Sequence, residues 1–437
     1  MSEMKELREG WLKTTLGEVC KLKNGYAFKS TDYIKDAGIP VVRISDIGEG
    51  KVILENCVRV NEDSEYENYV VYKDDILVAM SGATTGKFGI FKNEEKAYQN
   101  QRVGKFQKLY NEVIDNSYLF YLLYSLKRAI LKDAYGGAQP NISSGKIERL
   151  SILLPPLPEQ HRIVAKIEEL FSSLDKGIES LKTAQAQLKT YRQAVLKWAF
   201  EGKLTNENVK EGELPEGWKW VKIEDIAESL DYLRKPINKA ERLKRAGTIP
   251  YYGANGRTGW IDDYLFDEPL ILVVEDETFV GRRLPFSYKI TGKAWVNNHA
   301  HILRPKKSLH IDFLNYQLAY YPFLVLTTGT TGRKKLTKNA LMNAPFKVCP
   351  LAEQHRIVSE IETRLSVCDK LEENITQSLV QAEALRQSIL KKAFEGKLVP
   401  QNPNDEPAGI LLDRIRAERT STAVKKMTSN KRKKRLK

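Results

Sequence analysis

A segment of about fifty residues that occurs twice, 194 positions apart, constrains this chain more than any other feature. The first copy opens with Glu159-Gln160-His161-Arg162-Ile163-Val164 and closes with Ala199-Phe200-Glu201-Gly202-Lys203-Leu204. The second opens with Glu353-Gln354-His355-Arg356-Ile357-Val358 and closes with Ala393-Phe394-Glu395-Gly396-Lys397-Leu398. Between 158–204 and 352–398, 23 of 47 positions are identical and no gap is needed. The sequences in front of each copy barely resemble one another. An element of fixed length between divergent globules reads as a spacer holding two readers apart.

The repeat is larger than its helical part. Leu7-Arg8-Glu9-Gly10-Trp11 recurs as Leu214-Pro215-Glu216-Gly217-Trp218, an offset of 207. Each copy continues to an Ile-Pro pair (Ile39-Pro40, Ile249-Pro250) and to an apolar run of buried-strand type, Ile76-Leu77-Val78-Ala79-Met80 and Ile271-Leu272-Val273-Val274. The chain is therefore a tandem duplication. The expected divisions are a first globule at 1–152, a central helix at 153–208, a second globule at 209–347, a second helix at 348–402 and a basic tail at 403–437. Both globules read as mixed α/β, with β-rich runs such as Pro40-Val41-Val42-Arg43-Ile44, glycine-rich turns, and a helix over 117–131.

Each copy of the repeated element predicts one long helix. Ile163, Ile167, Leu170, Leu174, Ile178, Leu181, Leu188, Val195 and Ala199 fall near a 3-4 alternation, as do Ile357, Ile361, Leu365, Cys368, Leu371, Ile375, Ala382, Leu385 and Ile389. Pro158 suits a first helical turn, and Gly202 and Gly396 suit left-handed caps. About 42 helical residues span roughly 60 Å. A solvated helix of that length with an apolar stripe needs a partner, so the two copies are expected to pair. The expected fold class is α/β: two recognition domains separated by two long antiparallel helices forming a coiled coil, in a pseudo-twofold tandem repeat. Identities cluster at the ends of the element, which points to docking and capping there and to distance in the middle.

Net charge is +14, which suggests nucleic acid or an anionic surface as partner. Half of that excess sits between Pro403 and Lys437, where eleven Lys or Arg face four Asp or Glu. The string Lys431-Arg432-Lys433-Lys434-Arg435 fits a non-specific phosphate contact better than an address. Cys20, Cys57, Cys349 and Cys368 are far apart, so neither a zinc site nor a disulfide framework is expected. No apolar run reaches a membrane span, and the start of the chain lacks a signal-peptide pattern, so a soluble cytoplasmic protein is expected.

Motifs for chemistry are weak. Gly82-Ala83-Thr84-Thr85-Gly86-Lys87-Phe88 has three residues between the glycines and Gly329-Thr330-Thr331-Gly332-Arg333-Lys334-Lys335 has two, where a phosphate loop has four. Both remain candidates for phosphate contact. Glu201-Gly202-Lys203 and Glu395-Gly396-Lys397 match half of a nuclease metal site, but capping explains them better. His299-x-His301 lacks a third ligand, so no metal is expected. Side chains that fork to base edges are better represented. In the first globule the candidates for DNA contact are Arg43, Thr84, Thr85, Lys87, Gln99, Asn100, Gln101, Arg102, Gln139 and Asn141. In the second they are Tyr251, Asn255, Arg257, Arg282, Arg283, Asn297, Asn298, His299, Arg333, Lys334 and Lys335. Ala97-x-x-Asn100 and Ala294-x-x-Asn297 suggest equivalent positions. Glu159, Gln160, His161, Arg162, Phe200, Glu353, Gln354, His355, Arg356 and Phe394 are candidates for docking a partner, because the repeat returns them without an acid–base constellation.

The string Leu154-Pro155-Pro156-Leu157-Pro158-Glu159-Gln160-His161-Arg162-Ile163-Val164 and its counterpart from Pro350 to Val358 resemble the DNA-specificity subunits of type I restriction-modification systems. Ala199-Phe200-x-Gly202-x-Leu204 and its copy at 393–398 resemble the ends of that family's conserved helices. Gly137-x-Gln139-Pro140-Asn141-Ile142-Ser143 and the stretch from Ile249 to Gly256 resemble recurring pieces of its recognition domains. The resemblance implies a subunit without a catalytic site whose two domains each read half of a split DNA target. It implies two methyltransferase subunits using S-adenosylmethionine, and two motor-nuclease subunits using ATP and Mg²⁺, as partners on double-stranded DNA; no cofactor is implied for this chain. A methylation-only or type IIB-like system, or a standalone nuclease, are the alternatives.

Overall fold

The computed structural model describes residues 8–35, 37–134, 142–206, 208–210, 212–275, 285–329 and 334–420. The chain divides into two compact units, Met1–Glu179 with Leu379–Lys437, and Ser180–Ser378. Two helices of 44 residues each, Leu157–Phe200 and Leu351–Phe394, contribute one part to either unit.

In the first unit an antiparallel core sheet runs in the order Cys20–Asn24, Val103–Lys108, Ile76–Ala79, Phe88–Ile90, with Gly50–Lys51 added in parallel at the edge. A second sheet runs Val58–Val60, Ile39–Val42, Ala97–Gln99, Val70–Val71, and its middle pair is parallel. The all-apolar run Ile76–Ala79 is central and wholly buried, as expected of a strand covered on both faces. Leu119, Leu122, Leu123 and Ile130 of the helix Asn116–Ala134 pack on this core. The globule is closed by Leu12–Thr15 pairing antiparallel with Ser151–Leu154.

The second unit repeats this plan without a counterpart, among the described residues, of the edge strand Gly50–Lys51. Its core sheet runs Ala227–Ser229, Ala300–Pro305, Leu270–Val274, Ser287–Ile290, and its second sheet runs Gly256–Ile261, Ile249–Gly253, Lys293–Val296, Phe266–Asp267, again with a parallel middle pair. Lys219–Lys222 pairs with Pro345–Val348 to close the globule. The helix on the core is shorter, Ile311–Ala319. In both units the closing strand runs across the boundary expected between globule and helix.

Each long helix is fastened at its first turn by a buried glutamine. The Gln160 side chain is 0 % exposed; its Oε1 accepts from the Asp115 N–H at 2.8 Å, and its Nε2 donates to the carbonyls of Val113 at 2.9 Å and Pro155 at 3.0 Å. Gln354 repeats the arrangement with the His310 N–H at 2.8 Å and the carbonyls of Cys349 at 2.8 Å and Ser308 at 3.3 Å. Such a side chain does for the loop what backbone partners cannot, because both loop and helix end present orphan groups. At the other end Gly202 and Gly396 adopt φ of 77° and 70°, and the Lys203 and Lys397 N–H groups reach back to the carbonyls of Trp198 and Lys392. A Cβ on Gly202 would lie 2.2 Å from Pro215 Cγ, so the cap is also a close approach.

Within each unit the helices pack antiparallel. Ile163, Ile167 and Phe171 share a core with Ile389, Leu390 and Ala393 in the first unit. Val195, Leu196 and Ala199 share one with Ile357, Val358 and Ile361 in the second. Beyond these cores, ion pairs fix the register. Arg386 bonds Asp175 and lies 4.5 Å over the Phe171 ring. Arg192 bonds Asp369 at 2.8 Å and Glu372 at 2.7 Å. Both the arginines and the aspartates are related by the 194-residue repeat. The middle of the element therefore carries specific charged contacts as well as length. Leu371 and Leu385, assigned above to the seam, are instead exposed, as are their neighbours Val367 and Val380.

Candidate nucleic-acid interface

The first domain brings several of its candidates to one end of its buried strands. The Thr84 hydroxyl donates to the Ile44 carbonyl at 2.9 Å, docking the 81–87 turn on the turn that begins at Arg43. The Asn100 N–H donates to the Val42 carbonyl at 3.1 Å, and the Met80 N–H to the Arg102 carbonyl at 3.0 Å. Gln101 and Arg102 are exposed. Arg43 is held by Asp46 at 3.6 Å and by the Asn56 carbonyl at 3.2 Å, and Lys87 is half-buried. Two candidates are corrected. Gln99 is 1 % exposed and donates to the carbonyls of Lys23 and Val103 at 2.7 and 2.6 Å, so it is a core residue. The Thr85 hydroxyl is buried in its own turn, donating to the Gly82 carbonyl at 2.6 Å.

In the second domain Asn255 sits at the tip of the hairpin between Ile249–Gly253 and Gly256–Ile261, where Gly256 takes a φ of 97°. Arg257 stacks 4.3 Å over the exposed Trp260 ring on the same hairpin. The Asn297 N–H donates to the Tyr252 carbonyl as Asn100 does to Val42, so Asn100 and Asn297 are structural equivalents. Asn297 Oδ1 also accepts from the His299 N–H at 2.9 Å, and Asn298 is exposed. Tyr251 is a correction: its ring is buried under Arg242 and its hydroxyl donates to the Ile237 carbonyl at 3.3 Å. Gln139, Asn141, Arg282, Arg283 and Arg333 lie outside the described residues, as does the basic string from 421 to 437.

Sequence reasoning missed a buried charged network in the second domain. His301 places Nδ1 2.6 Å from Asp231 Oδ2 and Nε2 2.8 Å from the Leu336 carbonyl, so both ring nitrogens face acceptors. Arg234 bonds Glu275 and reaches Asp231 at 3.5 Å, and Lys335 bonds Glu275 at 2.8 Å. Lys335 is thus tethered, whereas Lys334 beside it has no described partner. Burial pushes the Asp231 carboxyl up, but His301, the Ile302 N–H and Arg234 outweigh it and hold the group below the usual carboxylate range. Glu275 is lowered against its own burial by Lys335 and Arg234. With both nitrogens of His301 engaged, the His299-x-His301 spacing forms no metal pair. The signal available was a histidine and a glutamate inside or abutting apolar strand runs, at Ala300–Pro305 and after Leu270–Val274.

The docking candidates divide in two. Glu159 and Glu353 are buried, accepting from Trp11 Nε1 at 3.0 Å in one copy and from Thr205 and Asn206 at 3.0 and 2.9 Å in the other. Gln160 and Gln354 are the buried fasteners described above. Phe394 packs edge-on against Tyr118 and Phe200 against Phe313, each 5.4 Å between centroids. These six hold domain to helix; the two glutamates and two glutamines are buried, while Phe200 and Phe394 are half-buried. Arg162 is half-engaged, bonding Asp405 at 2.6 Å. His161 lies 3.8 Å from Asp115 but is exposed; His355 stacks edge-on with His310 and is exposed, as is Arg356. Those three remain on the surface.

A duplicated α/β domain with polar loops at one end, each joined to a helix of 44 residues, is the architecture of a two-part recognition protein. The sequence pattern described as the type I restriction modification DNA specificity domain matches residues 8–190 and 215–381. The chain belongs to that family. It is 26 % identical to the type I restriction enzyme EcoBI specificity subunit of Escherichia coli, over 97 % of this chain and 96 % of that one. It is 25 % identical to the EcoKI specificity subunit of Escherichia coli strain K12, over 98 % and 99 %. A chain solved in work on complex assembly and conformational transition of the type I R-M system shares the fold with a TM-score of 0.70, at 21 % identity over 90 % of this chain and all of that one. The HsdS subunit from Thermoanaerobacter tengcongensis does so with a TM-score of 0.59, at 20 % identity over 90 % and 99 %.

Proposed function

We propose that this chain is the sequence-reading subunit of a type I restriction-modification complex. Each α/β domain reads one half of a bipartite duplex target, and the paired helices set the unread gap. The observation that carries this reading is the recurrence of one two-sheet domain plan beside helices of 44 residues in both copies. Divergent loops on a repeated scaffold suit two different half-sites, because loops carry recognition while the scaffold positions them. Arg102, Asn100, Arg257, Asn255, Asn297 and Asn298 are of the types that bond base edges, and Lys87 and Lys334 suit phosphate.

The chain acts without chemistry of its own. Methyltransferase subunits bring S-adenosylmethionine, and motor-nuclease subunits bring ATP and Mg²⁺. They dock on the helices, where Val367, Leu371, Val380 and Leu385 of the second helix are exposed although apolar, and where His161, His355 and Arg356 present polar contacts. Among the described residues no helix is long and apolar enough to cross a membrane, in keeping with action on cytoplasmic DNA.

The test is methyl transfer. The purified chain, incubated with duplex DNA, Mg²⁺ and S-adenosylmethionine, is expected to transfer no methyl group and cut nothing. Adding its methyltransferase subunits is expected to produce adenine methylation at a bipartite sequence. Cleavage or methylation by the chain alone would identify an enzyme instead.

A further inference from the structure

The two domains solve one packing problem in opposite ways. In the first, Gly104 pairs with Asn24 and with Val78 in the core sheet. The space beside it is filled by Leu22, Val78 and Met80; a Cβ on Gly104 would lie 2.7 Å from Leu22, 2.9 Å from Val78 and 3.0 Å from Met80. In the second domain the matching strands put His301 at the place of Gly104, Glu275 at that of Met80 and Asp231 at that of Asn24. The backbone confirms the match: Ile142 donates to the Met80 carbonyl as Leu336 does to Glu275, and Val78 faces Gly104 as Val273 faces His301. The fold is therefore satisfied by apolar side chains here. A buried charged network costs desolvation that the apolar solution avoids, so its presence calls for a role in conformational specificity.

What the network holds is a surface turn. Asp231 Oδ1 accepts from the Ile302 N–H at 2.8 Å; Arg234 Nε donates to the Asp231 carbonyl at 3.1 Å and Arg234 Nη1 to the Ala300 carbonyl at 3.0 Å. Between these two anchors the 3₁₀ turn Asp231–Leu233 displays Tyr232, 70 % exposed, with Leu233 beside it. Lys235 follows and is exposed, and Lys335 projects from the same network. A large apolar pair on a braced turn among cations matches the chemistry of duplex DNA, where an aromatic side chain stacks on or wedges against a base step while cations meet phosphate.

We propose that Tyr232 contacts the half-site read by the second domain, and that Asp231, Arg234, Glu275, His301 and Lys335 are positioning residues that hold its turn in the reading conformation. The proposal rests on the DNA-recognition reading above. It is tested with the full chain bound to its methyltransferase subunits, on duplexes carrying the mapped target and on duplexes altered in one half or the other. Tyr232→Ala is expected to leave the melting temperature unchanged and to lower discrimination at one half by roughly tenfold, with the other half untouched; Tyr232→Phe is expected to retain it. His301→Gln is expected to relax the same half. If the wild-type complex fails to discriminate at either half, the recognition reading itself falls. If it discriminates and Tyr232→Ala behaves like wild type, or loses both halves equally, the assignment of Tyr232 is overturned. A folded His301→Gln chain with wild-type discrimination would overturn the positioning role.

Discussion

Truncating Gln354 to alanine is expected to destabilise the second unit by roughly 3 kcal/mol or more, because it leaves an N–H and two carbonyls without this partner at about 1–3 kcal/mol each. The His310 N–H and the carbonyls of Cys349 and Ser308 lose the only side chain that bonds them among the described residues. In a unit of this size that corresponds to a fall on the order of ten degrees in its melting transition. Gln160→Ala should act equally on the first unit through Asp115, Val113 and Pro155. Scanning calorimetry of the two variants should therefore shift different transitions. A shift of less than about two degrees in both would mean that the helix starts are held by something other than these bonds.

The second large effect concerns specificity. Exchanging residues 16–150 for those of a relative with a different target should replace one half of the recognised sequence and leave the other intact. The junctions fall beside the strands Leu12–Thr15 and Ser151–Leu154, whose pairing frames the globule and is retained in the exchange. The helix start is retained as well, so Gln160 can still bond the incoming loop if that loop offers the same backbone groups. Methylome sequencing of cells carrying the exchanged chain would read the outcome. A change in both halves would contradict independent reading.

Much of this architecture was legible in the chain itself, for physical reasons that differ from element to element. Helix length, Gly202 and Gly396 were readable because helical periodicity and capping are local properties. The strands at 76–79 and 270–274 were readable because a strand covered on both faces is continuously apolar. Burial of polar groups was not readable. Glu159 and Gln160 recur in the repeat as surface-docking residues would, yet both are buried, bonded to Trp11 and to a loop 45 residues away in sequence. The network of Asp231 with His301 spans 70 positions, and no local pattern announces it. Tyr251 lies in a stretch with turn-like neighbours, but alternation along its strand turns that ring inward. The register pins were within reach: Asp175, Asp369, Arg192 and Arg386 are repeat-related identities in a segment that otherwise keeps little else. The apolar periodicity, by contrast, overcounted the seam, since a 3-4 spacing fits Leu371 and Leu385 whether or not anything covers them.

The repeated helices lie at the centre of the functional proposal, and a length change tests them directly. One turn of four residues is removed from each helix, at positions related by the 194-residue repeat so that the Arg192–Asp369 and Arg386–Asp175 pairs keep their register. Each helix is then about 6 Å shorter, which matches roughly one to two base-pair steps. Methylated adenines are mapped across the host genome for both chains. Helices that set the gap predict two unchanged half-sites separated by a shorter spacer. An unchanged spacer with retained methylation would show that the gap is set elsewhere.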